Sequence, residues 1–225
     1  MESLVLFAKV PALGKVKTRL AASLGEADAL RVYEACLKDS LSLLHHWANT
    51  QNEGVAKRAR VYLAEPESAP HELLQNLEVY YQEGQDLGER MQQCCDAEFE
   101  MGASKVVIIG ADSPTLPSHM LKQAFSALAW HDVVLGPAFD GGYWLLGARE
   151  KTPAIFSGIQ WSTDSVMTQT LVNVQREQCD TALLPFWYDI DDIEDIRRVQ
   201  WHSQLQNQRS GKTLHIYETV QELSL

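Results

Sequence analysis

The sequence lacks the features that send a chain to a membrane or a secretory route. No apolar run approaches the roughly 18 residues needed to span a bilayer, and Met1-Glu2-Ser3 opens without the basic segment and cleavage site of a signal peptide. A cytoplasmic protein that binds no membrane is expected. Its four cysteines, Cys36, Cys94, Cys95 and Cys179, form no CxxC pair. That excludes zinc-ligand spacing and predicts reduced, partly buried thiols. None of the histidines falls in HExxH or another metal spacing, and no GxSxG nucleophile elbow occurs. Positive charge is scarce: 19 Lys and Arg against 30 Asp and Glu leave a net charge of -11. That balance argues against broad nucleic-acid binding, which shows as a basic face or stripe, and is compatible with a metal site built from carboxylates. Internal repeats, low-complexity segments and linkers are absent as well. At 225 residues the chain is long enough for one well-filled domain, expected to span residues 1–225.

Strand-like and helix-like segments alternate almost to the end. The runs Leu4 to Ala8, Arg60 to Ala64, Leu77 to Tyr81, Lys105 to Ile109, Asp132 to Leu135, Tyr143 to Leu146 and Ala182 to Tyr188 read as strands. Lys105-Val106-Val107-Ile108-Ile109 is apolar after its first residue, as suits a central strand covered on both faces. Leu30, Tyr33, Leu37, Leu41 and Leu44 recur at helical spacing within Glu26 to Trp47. Further helices are predicted over Asp86 to Met101, from Pro117 to about Trp130, from near Ser162 to Arg176 and over Asp192 to Gln206. Another helix start is read around Ser68-Ala69-Pro70, and the tail from Gly211 is ambiguous. The alternation predicts a single α/β domain with a mostly parallel, doubly wound sheet and helices on both faces. In such sheets ligands bind beyond the carboxyl ends of the strands, and the polar clusters nearly all follow strands.

The scarce positive charge is concentrated. The first strand empties into a loop carrying Lys9, Lys15, Lys17 and Arg19, stiffened by Pro11, with Gly14 open to close backbone approach. In an acidic protein such a loop predicts a site for a small polyanion, a nucleotide's phosphates first. Lys15, Lys17 and Arg19 alternate, so an extended loop would aim them together at one anion. The segment is not a Walker A loop: the second glycine is missing and Gly14-Lys15 is followed by Val16. Gly110-Ala111-Asp112-Ser113-Pro114 follows the clearest strand, where Asp112 could hold Mg²⁺ or cap a turn or the helix opening at Pro117. Asp140-Gly141-Gly142-Tyr143 reads either as a tight turn or as a close approach for substrate beside a carboxylate. Asp189 and Asp191 alternate on one side of an extended segment, and either could complete a metal site begun by Asp112. Asp191 or Asp192 could instead cap the last helix. An EF-hand is excluded, because the glycine required at loop position six is Glu194. Gln85 and Arg90 flank the opening of a helix where a base or ribose could lie, and Trp161-Ser162-Thr163 opens another, facing an acceptor or serving as a cap.

Taken in order, Phe7 to Leu20, Asp86-Leu87-Gly88-Glu89-Arg90-Met91, Gly110 to Pro114, Asp140 to Tyr143 and Trp161 to Thr163 resemble a bacterial family of glycosyltransferase-A-fold proteins. These are described as nucleotide-diphospho-sugar transferases, some as arsenosugar-biosynthesis glycosyltransferases. More distantly, the chain resembles the phospholactate and phosphoenolpyruvate guanylyltransferases and the molybdopterin guanylyltransferases. The resemblance runs from about residue 4 to residue 200. It implies a first loop that wraps nucleotide phosphates, a divalent metal on Asp112 and a second acidic residue at Asp189 or Asp191. Where relatives read Asp-x-Asp-Thr-Pro-Glu-Asp, this chain has Asp192-Ile193 in place of Thr-Pro, keeping the carboxylates. An Asp-x-Asp signature is absent at Asp112, which stands as a single carboxylate.

Two enzymatic readings follow. In nucleotidyl transfer, a nucleoside triphosphate lies on Lys9, Gly14, Lys15, Lys17, Arg19, Gln85 and Arg90, with Mg²⁺ or Mn²⁺ on Asp112 and Asp191 or Asp189. A phosphorylated small-molecule acceptor then attacks without a general base, because it is already ionised. In glycosyl transfer from a nucleotide sugar to a hydroxyl, Asp140 is the natural base. The acceptor in either case lies by Gly141, Gly142, Tyr143, Trp161, Ser162 and Thr163, with Lys17, Arg19 and Asp140 nearest the chemistry. A third reading is a non-catalytic nucleotide-binding module. Base, sugar, acceptor and oligomeric state are left open by the sequence.

Overall fold

Seven strands form one sheet in a computed structural model that describes residues 1–50, 54–65, 72–74, 77–150, 154–206 and 214–223. They are β1 (Glu2–Ala8), β2 (Lys57–Leu63), β3 (Val79–Tyr81), β4 (Lys105–Gly110), β5 (Val133–Pro137), β6 (Tyr143–Arg149) and β7 (Thr181–Leu183), in the order β3-β2-β1-β4-β6-β5-β7. Every pairing is parallel except those of β6, which runs antiparallel to both β4 and β5. The antiparallel strand follows from chain length. The turn Ala138–Gly142 is too short for the dozen or more residues of a parallel crossover, so β5 and β6 must form a hairpin.

The predicted alternation of faces is visible in the core. Leu4, Leu6 and Ala8 of β1 pack with Val107 and Ile109 of β4 against helices α2 (Glu26–Asn49) and α4 (Ser118–Ala127). Val5, Val106 and Ile108 pack on the other face with Met91, Cys94 and Cys95 of α3 (Leu87–Glu100) and Val174 of α5 (Val166–Arg176). Helices thus cover both faces of a mostly parallel sheet. A third cluster joins the outer side of α2, through Ala29, Val32 and Cys36, to α6 (Ile193–Gln206) and α7 (His215–Glu222). All four cysteines are free, and three are buried.

Four local expectations are corrected. The segment Thr18–Leu24 is a helix, α1, and not the continuation of an extended loop; Leu20, fully buried among Ala29, Val32 and Ile196, anchors it. The last strand is shorter than Ala182 to Tyr188: it ends at Leu183, and beyond Pro185 only Trp187 makes a bridge, to Ala138. Helix α5 starts at Val166, four residues after Ser162, whose φ of 63° is left-handed. The ambiguous tail supplies α7, whose first two amides are capped by the buried Asp39 carboxylate at 3.0 and 2.9 Å. The helix start read at Ser68-Ala69-Pro70 lies outside the described residues. Among the described residues no helix is long and apolar enough to cross a membrane.

Candidate active site

A cavity of about 630 Å³ opens beyond the carboxyl ends of β1, β4 and their neighbours, where an open α/β sheet places its ligands. Of the predicted site residues, Lys9, Lys17, Arg19, Arg90, Asp112, Asp140, Gly142, Tyr143, Trp161, Ser162, Thr163, Asp189 and Asp191 all line it. Lys17 and Asp191, 174 positions apart in the sequence, are thereby brought into contact on its wall.

Its centre is an ion cluster. The Lys17 side chain is only 3% exposed, and its ammonium contacts Asp112 Oδ1 and, at 3.0 Å, Asp191 Oδ1. Both carboxylates are nearly half exposed to the cavity. Burial by itself would lower the lysine pKa; the charges of Asp112 and Asp191 more than reverse that, so the pKa is raised and the ammonium stays protonated. This position is set by the backbone. Lys17 is the N-cap of α1 in the left-handed region, φ 48° and ψ 46°, a conformation uncommon outside glycine, and its carbonyl accepts the Ala21 amide at 2.8 Å. The kink turns Lys17 inward while Lys15 is exposed and off the cavity wall. The expectation of three alternating cations on one extended loop therefore fails.

Asp189 and Asp191 do share a side, because the residue between them, Ile190, is fully buried and its amide is held by the Asp112 carbonyl at 2.9 Å. They differ in environment. Asp189 accepts the hydroxyl of the buried Ser113. Burial, and then the charges of Asp112, Asp140 and Asp191, push its pKa up to about 7 against the lowering effect of that hydroxyl. The helix-capping alternative belongs to Asp192, whose Oδ1 accepts the amides of Glu194 and Asp195 at 2.8 and 3.1 Å. Asp112 caps no helix either: the N-cap of α4 is Pro117.

A carboxyl with a raised folded pKa binds more protons folded than unfolded, so its contribution to stability falls as the pH rises from about 4 to about 7. Asp189→Asn removes that penalty. The variant is expected to melt above the wild type at pH 8, the gap closing as the pH falls through 7 toward 4. Thermal melts across that range check it, and a gap that widens in acid would contradict the assignment.

Four predicted residues lie off the cavity wall. Gly14, with φ 69°, makes the turn in which the Lys15 amide reaches the Ala12 carbonyl at 3.0 Å. Gln85 gives its amide to Glu89 Oε2 while Asp86 accepts the Glu89 amide, a reciprocal cap that starts α3. Gly141 packs against the Asp164 backbone, and its carbonyl accepts the Met167 amide at 2.8 Å, fixing the β5–β6 turn to α5. The tight-turn alternative for this segment also holds, since Asp140 Oδ1 accepts the Gly142 amide at 2.9 Å. Two sequence blocks meet directly: a Cβ on Gly88 would fall 2.6 Å from the Trp161 ring, so the glycine of Asp86-Leu87-Gly88 makes room for Trp161.

Sequence reasoning passed over Tyr33 and Gln82. The Tyr33 hydroxyl accepts the Lys9 amide at 2.7 Å and donates to the Lys9 carbonyl at 2.9 Å. It clips the basic segment to α2, from a position whose helical spacing reads as core. Gln82 follows β3 directly and lines the cavity, so the rule of strand ends could have found it.

Residues 47–163 match the family described as "Uncharacterized protein conserved in bacteria (DUF2064)". The chain belongs to that family. A solved structure from Desulfovibrio desulfuricans, described as a "putative nucleotide-diphospho-sugar transferase", is 28% identical with a TM-score of 0.85, over 98% of this chain and 94% of that one. A cytidylyltransferase from Leptospira borgpetersenii is 15% identical, TM-score 0.55, over 100% and 98% of the two chains. The inositol-1-phosphate CTP transferase of T. maritima is 12% identical, TM-score 0.52, over 99% and 98%. These last two show the fold alone. No curated protein matches the sequence. This DUF2064 member thus has the fold of the nucleotide-diphospho-sugar transferases, as its sequence blocks implied.

Proposed function

We propose that this DUF2064 protein is a single-domain transferase that takes a nucleoside triphosphate and moves its nucleotidyl group to a phosphorylated small molecule. One observation carries the reading. Lys9, Arg19 and Arg90 line the cavity, and among the described residues none of the three makes an ion pair. In a chain of net charge -11, three such cations lining one cavity with Asp112, Asp189 and Asp191 support a ligand with several negative charges that also brings a cation. A nucleotide polyphosphate with Mg²⁺ or Mn²⁺ is that ligand.

Hard carboxylate oxygens fit such a cation. Among the described residues no group of three or more His, Cys, Asp or Glu is placed to enclose a metal ion. Mg²⁺ suits this arrangement, because it uses one or two carboxylates and fills its shell with phosphate oxygens and water. Asp112 and Asp191 would hold it, and it would neutralise charge on the phosphates. The chain's own groups do the rest. Lys9, Arg19 and Arg90 orient the phosphates, and Lys17 adds a further positive charge beside them. An acceptor phosphate oxygen then attacks the α-phosphorus, the bond to the β-phosphate oxygen breaks, and pyrophosphate leaves. No base is required of the protein.

Glycosyl transfer from a nucleotide sugar is the second reading. It is favoured by Asp140 on the cavity wall and by the description of the Desulfovibrio protein. One assay separates them. The purified protein is given each nucleoside triphosphate with Mg²⁺ and a panel of phosphorylated acceptors, and pyrophosphate is measured. Release above background with at least one pair is expected. Silence across the panel, with a nucleotide sugar consumed and consumption lost in Asp140→Asn, would replace the first reading by the second.

A further inference from the structure

Lys17 differs from the other cations of the cavity because its charge is already engaged. It touches one oxygen of Asp112 and one of Asp191, the two carboxylates best placed to hold a divalent ion. Its position is built in three ways. The side chain is 3% exposed, the left-handed backbone aims it inward, and α1 begins at the next residue. A second cation on the same oxygens would stand within a few ångströms of an ammonium that is itself 3% exposed, so water screens their repulsion only in part.

We propose that Lys17 is the resident cation of the Asp112–Asp191 pair and closes it to divalent metal in the ligand-free protein. Metal and ammonium exclude each other there. Metal loading is then coupled to the arrival of a polyanion, because phosphates beside Lys9 and Arg19 offer the ammonium another partner and let it leave the carboxylates. The four-carbon stem of lysine permits that swing without unwinding α1. This rests on the reading of the cavity as a nucleotide site, yet its core is testable with no nucleotide present.

The experiment titrates free protein with Mn²⁺ alone and follows the electron paramagnetic resonance signal of unbound Mn²⁺. Wild type is expected to bind only in the millimolar range or weaker. Lys17→Met, which keeps the volume and removes the charge, is expected to bind one Mn²⁺ per chain at least tenfold more tightly. Adding Asp112→Asn to Lys17→Met should return binding to the wild-type level. Lys17→Gln serves the same purpose should the methionine variant fail to fold by circular dichroism. The proposal is overturned if neither charge-removing variant binds more tightly than wild type, or if the gain survives Asp112→Asn. It is overturned equally, with no variant needed, if nucleotide-free wild type binds one Mn²⁺ at micromolar concentration. Pyrophosphate release by wild type is scored separately. Tight Mn²⁺ binding by Lys17→Met in a protein that turns over no nucleotide would sink the transferase reading and leave the exclusion standing.

Discussion

Gly141→Ala is expected to destabilise the protein by about 3 kcal/mol, a fall of roughly 10 °C in melting temperature for a chain of this length. Two independent costs combine. The backbone has φ 89°, where a Cβ is strained in any surroundings. That Cβ would also stand 2.5 Å from the Asp164 Cα, and closer still to its carbonyl oxygen. Both neighbours are backbone, so no side chain can rotate away. The turn is tied to α5 through the Met167 amide, and relief would have to move Asp140 or Thr163, both on the cavity wall. Gly25→Ala is the control. Its φ is 85° and ψ 160°, and nothing lies within 4 Å of the added Cβ, so it carries backbone strain without the collision and should cost about 1–2 kcal/mol. Equal melting temperatures for the two variants would show that the Asp164 contact yields freely.

That glycine also shows how a motif can be legible while its work is not. Asp140-Gly141-Gly142 stood out in the sequence as either a turn or a substrate approach, and the structure uses its first glycine for packing against a neighbouring loop. What defines Gly141 is a contact 23 residues away, which no local pattern encodes. Asp189 and Asp191 are the opposite case. Period-two alternation put them on one side, and the buried Ile190 between them is what alternation requires of an extended segment leaving the sheet. The central strands β1 and β4 were equally plain, because strands buried on both faces must be apolar throughout.

Helix α1 was hidden for a physical reason. It has seven residues, a single fully buried anchor in Leu20 and cations before and within its first turn. Two turns of helix give too few repeats for a 3.6-residue period to emerge, whereas Lys15, Lys17 and Arg19 mimic a period of two. Only the tertiary contacts of Leu20 with α2 and α6 decide between the two. The consequence reaches the site, because helix initiation at Thr18 is what turns Lys17 toward Asp112. Which charges meet there depends on partners 95 and 174 residues distant, so the sequence could group the carboxylates but not choose between Asp189 and Asp191.

Asp112→Asn is expected to remove nearly all turnover, by about a thousandfold or more, and to leave the fold in place. The size follows from what the carboxylate does in the free and working states. It shares the Lys17 ammonium with Asp191 and is the better placed of the two at the end of the central strand. Preorganised charge at such a position contributes on the order of 10²–10³ in rate by itself, and under the proposed function the loss of a cation ligand would add to that. Stability should change little. The Asp112 carbonyl, which holds the Ile190 amide at 2.9 Å, is untouched, and the side chain is nearly half exposed. Lys17 keeps Asp191 as its counterion, so no buried ammonium is left alone and the cost stays near 1–2 kcal/mol, well below that of stripping a buried charge of its only partner. Asp191→Asn should be milder in turnover, since Asp112 and Asp189 remain. Steady-state pyrophosphate release and thermal melts on the two variants read both halves of the expectation. Turnover within tenfold of wild type in Asp112→Asn would mean that the chemistry is organised elsewhere on the cavity wall, with Asp140 and Asp189 the next carboxylates to test. Folded but inactive protein, set against the unstable Gly141→Ala, would separate the group that performs the reaction from the glycine that holds its wall in place.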